Sequence, residues 1–266
     1  MLDPGGKRSG AGAGRDRAPG DRGEAANAAG PLPLDRPPGE IAGMFDAIAR
    51  RYDLLNRLLS AGRDRAWRAR AVDALGLQGG ERVLDLCTGT ADLALALASP
   101  RGGAGCVVGV DFSAEMLRLG RVKTARRRPA GAVRLLRADA ERIPLCDAAV
   151  DGATIGFGIR NVRDRIGALA EVRRVLRPGG RLAILEFGEP GPAPVRAMYR
   201  WYFHHLLPLV GRLGSRHRSA YAYLPASVGA FPAPPAFCEL LGRAGFTDVR
   251  VDPLTFGIVY LYSARA

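Results

Sequence analysis

The stretch VLDLCTGTAD, Val83 to Asp92, decides how the chain is read. A short apolar run carrying Asp85 gives way to a Cys-Thr-Gly-Thr turn, and an alanine-rich helical segment follows. In an open parallel sheet the ligand sits beyond the carboxyl ends of the strands, beside the first strand's turn. Dinucleotide folds mark that turn with G-x-G-x-x-G, so that a pyrophosphate rests on the helix N-terminus. Here only Gly89 is available, and Asp92 stands where a phosphate would be greeted. A carboxylate in the first helical turn repels pyrophosphate, which disfavours NAD and FAD. A nucleoside with no phosphate and a positive end fits better. S-adenosylmethionine (SAM) has that character, with its ammonium and sulfonium. Asp85 can answer the cationic end, and Gly89 lets the backbone approach the ligand.

The segments around this turn alternate. ERVLDLC, CVVGVDFS, AVRLLRAD and VDGATIGFG read as strands, and each of the first two is followed by a helix, the second capped by Ser113. A helix DRIGALAEVRRVL, a turn RPGG and a strand RLAILEF come next. PPAFCELLGRAGF is a helix, and TDVRVDPLTFGIVYLYSA reads as two strands joined by a turn near Pro253. This order predicts an α/β fold, a mostly parallel seven-stranded sheet with helices on both faces. Two helices precede the sheet, in IAGMFDAIARRYDLLNRLLS and DRAWRARAVDALGL. Residues 190–235 break the alternation as a helical, aromatic insertion. Residues 1–40 are Gly, Ala, Pro and Arg with few large apolar side chains, and are expected to be a disordered tail before a domain spanning 41–266.

Asp111 ends the second strand about twenty residues beyond the turn, where an acid reaches ribose hydroxyls. Asp139 ends the third strand, placed to meet an adenine amino group, with the Ala140 backbone near the ring. One strand-end acid alone would be a turn former. Asp85, Asp111 and Asp139 together point to a nucleoside site.

The net charge is +13, and all but two of the 39 basic residues are arginine; the lysines are Lys7 and Lys123. The tail balances its own charge, so the surplus lies on the folded part, notably in 118–128 and 196–218. Such a surface suits an anionic membrane or a nucleic acid, and equally a solvated arginine-rich face. Neither an aromatic RNA platform nor a recognition helix stands out, so no nucleic-acid partner is expected. The four cysteines are far apart, which argues against a zinc site and a disulfide framework. They are expected to be reduced, in a cytoplasmic protein. No apolar run reaches about 20 residues without charges, so no membrane span is expected.

Five segments carry a family resemblance: YDLLNRLLSAGRDRAW (52–67), LDLCTGTADLA (84–94), GVDFSAEML (109–117), IGFGIRNVRDRIGAL (155–169) and RVLRPGGRLAILEF (174–187). Together they resemble the UbiE/MenG-type C-methyltransferases of menaquinone and ubiquinone biosynthesis, in order from about Met44 to Tyr262. The resemblance implies a class I SAM-dependent methyltransferase fold, Rossmann-like. SAM is the implied co-substrate, with contacts at Thr90, Asp111, Asp139 and Ala140. The implied reaction is methylation of a ring carbon on a polyprenylated quinol, with the CTGTAD and IGFG forms closer to the menaquinone branch. Asp64 and Leu55 depart from the pattern, where His and Met are expected, and Ala91 replaces a common glycine.

Methylating an aromatic carbon needs electron density, so the substrate should be the reduced quinol, with its hydroxyl proton lost. A phenol titrates near pH 10, and the site must favour the phenolate. Arg160 and Asn161, just past the fourth strand, are the catalytic candidates. Arg160 keeps its proton and so would hold a developing phenolate electrostatically, with Asn161 donating to the same oxygen. Tyr52 and Asp53 end the first helix, where a lid over the site could form. His205 is a further base candidate. No metal is expected. Trp201, Tyr202 and Phe203, flanked by Arg196, Arg200, Arg212 and Arg216, suggest transient contact with a membrane surface, placing the protein at the inner face of the cytoplasmic membrane. A homodimer is one option for the assembly. Another small-molecule or lipid methyltransferase on the same fold is the alternative reading.

Overall fold

A computed structural model describes residues 38–201 and 218–266. The tail expected to reach residue 40 lies outside the described residues except for its last three, which open a helix. Tyr202, Phe203, His205, Arg212 and Arg216 also lie outside, as do the side chains of Tyr52, Arg200 and Trp201.

Helix α1 (Pro38–Leu59) starts on a proline, whose missing N–H costs nothing at that position, with Glu40 in its first turn. Ala61 and Gly62, both at positive φ, turn the chain into α2 (Asp64–Leu75). The alternating unit follows as β1 (Arg82–Leu86), α3 (Asp92–Leu97), β2 (Cys106–Asp111), α4 (Ala114–Arg127), β3 (Ala132–Arg137) and β4 (Val150–Gly156). The Ser113 hydroxyl caps α4 as expected, accepting from the Met116 N–H. A short 3-10 turn (Ile159–Asn161) leads to α5 (Arg165–Val175) and β5 (Leu176–Phe187). Then come α6 (Ala193–Trp201), α7 (Arg218–Gly229), α8 (Pro234–Arg243), β6 (Thr247–Leu254) and β7 (Val259–Arg265).

The seven strands form one sheet in the order β3-β2-β1-β4-β5-β7-β6. The first five are mutually parallel, and β7 runs antiparallel to both β5 and β6. Both faces are covered, which is why β1 reads as an almost unbroken apolar run. Its alternate side chains enter opposite cores. Leu84 and Leu86 pack with Leu169, Val172, Ile184 and Phe237, while Val83 packs with Trp67, Leu75, Leu97 and Leu185. Strand order reverses between β1 and its neighbours β2 and β4, and that crevice is where a ligand is received.

Two local expectations shift. RPGG is not a separate turn but an irregular stretch inside β5, with Gly179 at φ 75° and the β4–β5 register slipping between Val150 and Gly152. The C-terminal Ala266 closes it, donating to the Gly180 carbonyl and accepting from the Gly179 N–H, each at 2.9 Å. The last hairpin turns at Thr255–Gly257 rather than near Pro253, which lies within β6. That proline is tolerated because β6 is an edge strand, paired on one side only.

The ends of β1 and β4 approach so closely that a Cβ on Gly158 would lie 2.2 Å from the Cys87 Cβ. Gly158→Ala is therefore expected to lower stability by about 1–3 kcal/mol in urea unfolding, the usual cost of overpacking. Gly43→Ala, inside α1 with open space around the new methyl, should instead be neutral or stabilising by up to about 1 kcal/mol.

Candidate active site

The β1–α3 turn is built from left-handed backbone. Cys87, Gly89 and Ala91 have φ of 56°, 54° and 66°. Only glycine adopts this region without steric cost, so the turn needs support. Asp85, 1 % exposed beneath it, supplies that support by accepting from the Thr88 hydroxyl (2.6 Å) and the Thr154 hydroxyl (2.8 Å). Burial lifts the Asp85 carboxyl to about 6, against the pull of those two hydroxyls. The Thr88 N–H donates to the Val110 carbonyl, and the Gly89 N–H to Asp111 Oδ2 at 2.8 Å.

Asp111 closes β2 with its other oxygen accepting from the Ser113 N–H at 2.9 Å. Burial raises its carboxyl above the usual range, and the backbone donors of Ser113 and Gly89 oppose that. Asp139 ends the adjacent β3 and accepts from the Glu141 N–H. Between these strand ends lies a cavity of about 850 Å³, its open mouth included. Gly89, Asp111, Asp139, Ala140 and Asn161, all singled out in the sequence, line it. Asp85 and Thr90 are not among the lining residues. Asp85 lies beneath the turn, and Thr90 belongs to the turn with its hydroxyl bonded to Asp53 and Lys123.

Arg160 is also absent from the lining. The residue is 4 % exposed, and its guanidinium pairs with the fully buried Glu186 at 2.6 Å, over the Phe187 ring. Its backbone N–H donates to the same carboxylate, so Glu186 fixes the whole Gly158–Asn161 turn against the end of β5. Asn161 is thereby turned to the cavity wall. Its Oδ1 accepts from the Tyr223 hydroxyl of α7 at 2.9 Å, which leaves its amide N–H groups to the cavity.

The cover is α1, which contributes Ile41, Ala42 and Phe45 to the lining. Asp46 of that helix accepts from the Ser113 hydroxyl and, at 3.2 Å, from the Glu115 N–H at the start of α4. Asp53 accepts from the Thr90 hydroxyl at 2.6 Å. The sequence leads one to expect a lid near Tyr52 and Asp53; the residues of α1 that line the cavity are Ile41, Ala42 and Phe45, and the Tyr52 side chain lies outside the described residues. Asp64, at the position that departs from the family pattern, takes a joint role here. It accepts from Ser60 at 3.1 Å and pairs with Arg68, locking the bend between α1 and α2.

Sequence reasoning missed Phe45, Asp46, Glu186 and Tyr223. Ile41 and Phe45 were legible as a four-residue helical step; the others meet their partners across 26 to 69 positions and leave no local signal.

The site fits SAM and not a dinucleotide. Asp111, Asp139 and Glu141 line the cavity beside one cation, Arg163, so its charge favours a cationic ligand, and Asp92 in the first turn of α3 denies a phosphate the helix N-terminus. Burial works to raise the Asp92 carboxyl, but Arg68 and Lys123 pull it below the usual value and keep it charged. Among the described residues no group of His, Cys, Asp and Glu is arranged for a metal ion.

Sheet order, switch-point cavity and strand-end acids define a class I SAM-dependent methyltransferase. The fold matches that of a SAM-dependent methyltransferase from Aquifex aeolicus (TM-score 0.54, 21 % identity, 74 % of this chain and 88 % of that one). It also matches phosphoethanolamine N-methyltransferase 2 of Haemonchus contortus, solved with SAM (TM-score 0.55, 16 % identity, 75 % of this chain and 52 % of that one). The chain belongs to the ubiE/COQ5 methyltransferase family, whose model matches residues 36–265. A ubiquinone/menaquinone biosynthesis C-methyltransferase UbiE from Geobacter sp. (strain M21) is 50 % identical over 222 residues, covering 84 % of this chain and 94 % of that protein. A demethylmenaquinone methyltransferase from Thermus thermophilus is 50 % identical over 219 residues, covering 82 % and 98 %.

The Asp85 carboxyl gives a pH test. Its folded value, about 6, lies above the ordinary 3.8, so the native state binds the proton more tightly than the unfolded chain. Its contribution to stability is complete below about pH 4 and is lost as pH rises towards 6. Asp85→Asn should flatten that part of the stability–pH curve, measured by urea unfolding at pH 4 to 7.

Proposed function

We propose that this chain transfers the methyl group of SAM to a ring carbon of a polyprenylated quinol, demethylmenaquinol in the first place. The benzoquinol of ubiquinone synthesis is the second candidate. The reading is carried by one observation, an Asn161 amide pinned by Tyr223 at the wall of a largely apolar cavity. The names of the relatives at 50 % identity support it.

Bound SAM supplies an electrophilic methyl group. Gly89, Asp111, Asp139 and Ala140 would hold it, with Asp85 shaping the turn from below and Thr90 from within it. On the substrate side, Leu86, Val110, Phe157 and Val162 exclude water from a flat ring. Asn161 donates to the ring oxygen, and Arg163, which also lines the cavity, stabilises negative charge as the hydroxyl proton leaves. Arg160 acts on the same oxygen through the turn it fixes, because its own charge faces Glu186. Tyr52, on the covering helix, is the proposed hydrogen-bond partner that orients the ring hydroxyl; the hydroxyl proton leaves to water, and the ring C–H proton leaves after the new C–CH3 bond has formed.

No helix among the described residues is long and apolar enough to cross a membrane. The prenyl tail of the substrate would nevertheless lie in a bilayer. The amphipathic α6, with Arg196 in it, is the proposed contact with the inner face of the cytoplasmic membrane. Sedimentation of the full chain with anionic vesicles at low salt, and its loss with neutral vesicles, is the expected outcome.

The deciding assay is methyl transfer from labelled SAM to a short-chain demethylmenaquinol beside its benzoquinol counterpart, with and without reductant. Product on the naphthoquinol under reduction only is expected. No product on either ring, with SAM still bound, would move the assignment to another small-molecule substrate. Asn161→Ala should lower kcat by about 100-fold, the typical loss for one oxyanion donor, with the Kd for SAM unchanged.

A further inference from the structure

We propose that Lys123 is a positioning residue for the methyl donor, coupling the turn that receives it to the helix that covers it. The proposal rests on the reading that the cavity takes SAM. Lys123 projects from the third turn of α4, and its Nζ meets three acceptors on three other segments. They are Thr90 Oγ1 of the β1–α3 turn at 2.9 Å, Asp92 Oδ1 of α3 at 2.7 Å and Asp53 Oδ2 of α1 at 2.6 Å. An ammonium has three N–H groups, and here each has its own oxygen. Thr90 in turn donates to the other oxygen of Asp53. Lysine, threonine and aspartate therefore close a ring that joins the turn to the cover.

Composition sharpens the point. All but two of the 39 basic residues are arginine, and the other lysine, Lys7, lies in the tail. Arginine serves this chain wherever a cation is enough. At position 123 three oxygens converge on one point, and a planar guanidinium spreads its donors across a fork too wide to serve them together. The lysine side chain is 18 % exposed and its partners are 30 % and 26 % exposed, so salt screens this cluster less than a surface pair.

None of Lys123, Thr90, Asp53 and Asp92 lines the cavity. Their effect on the donor passes through what they hold. On one side is the turn carrying Gly89; on the other is α1, with Ile41 and Phe45 over the cavity. Opening the cover loosens the turn, and a loosened turn releases the cover, so donor binding and closure become one event.

The test uses the full chain carrying Lys123→Met, Asp53→Asn and both together. SAM affinity is measured by calorimetry, α1 cleavage by limited proteolysis with and without SAM, and stability by thermal unfolding. Each single variant is expected to raise the Kd for SAM at least tenfold, and the pair little more than one alone. SAM should no longer shield α1 from protease. KM for SAM should rise while kcat at saturating SAM holds, and Lys123→Arg should not restore affinity. A folded Lys123→Met with unchanged SAM affinity and only a lower melting temperature would overturn the proposal. So would fully independent effects of the two substitutions. If Lys123→Met does not fold, Asp53→Asn carries the same criteria from the partly exposed end of the pair. Absence of quinol turnover with these SAM shifts intact would count against the quinol assignment and leave the coupling standing.

Discussion

The structure depends on a turn that would not hold its shape alone. Three of the five residues from Cys87 to Ala91 are left-handed, and two of those carry a Cβ, at a cost of roughly 1–2 kcal/mol each. What fixes them comes from below and from both sides. Asp85 gathers two hydroxyls under the turn, Val110 and Asp111 accept its N–H groups, and Gly158 presses its bare Cα against Cys87. Each support is also part of the ligand crevice or stands directly behind it. The strain and the site are therefore the same set of atoms, and a buried carboxylate with a raised pKa is tolerated because it organises that set.

The sheet and the strand-end acids were legible because they follow from chain-local rules. Each strand is a short apolar run, each acid closes one, and the spacing of βα units puts Asp111 and Asp139 side by side beyond the sheet. What was not legible was which way a charge would face. Arg160 stands in GFGIRNV as though aimed at a substrate, yet Glu186, 26 residues on, holds its guanidinium. Nothing local to either residue announces the pair, since it forms only when β4 and β5 lie in register. The first helix shows the same limit. Its amphipathic spacing was plain, but its role as the cavity's cover comes from Asp46 and Asp53 meeting hydroxyls far along the chain.

The charge of +13 also reads differently once the fold is known. Several arginines bond backbone carbonyls, Arg137 and Arg173 from exposed positions. Arg181 caps the end of α2 at Leu75, Arg173 reaches Gly245, Arg137 reaches Phe112, and Arg174 spans Ile143 and Leu145. Such bonds satisfy helix and loop ends that would otherwise need water. These four arginines thus tie elements together through backbone carbonyls.

The reversed final strand gives the molecule two unlike ends. Because β7 runs against β5, its last residues return to the side of the sheet where the parallel strands begin, and Ala266 is stitched there to Gly179 and Gly180. The cavity opens at the opposite side, under a helix from the other end of the described chain. A fluorophore, bead or fusion partner joined beyond Ala266 would hang clear of the entrance. Immobilisation through the carboxyl side is therefore the orientation that leaves the door free.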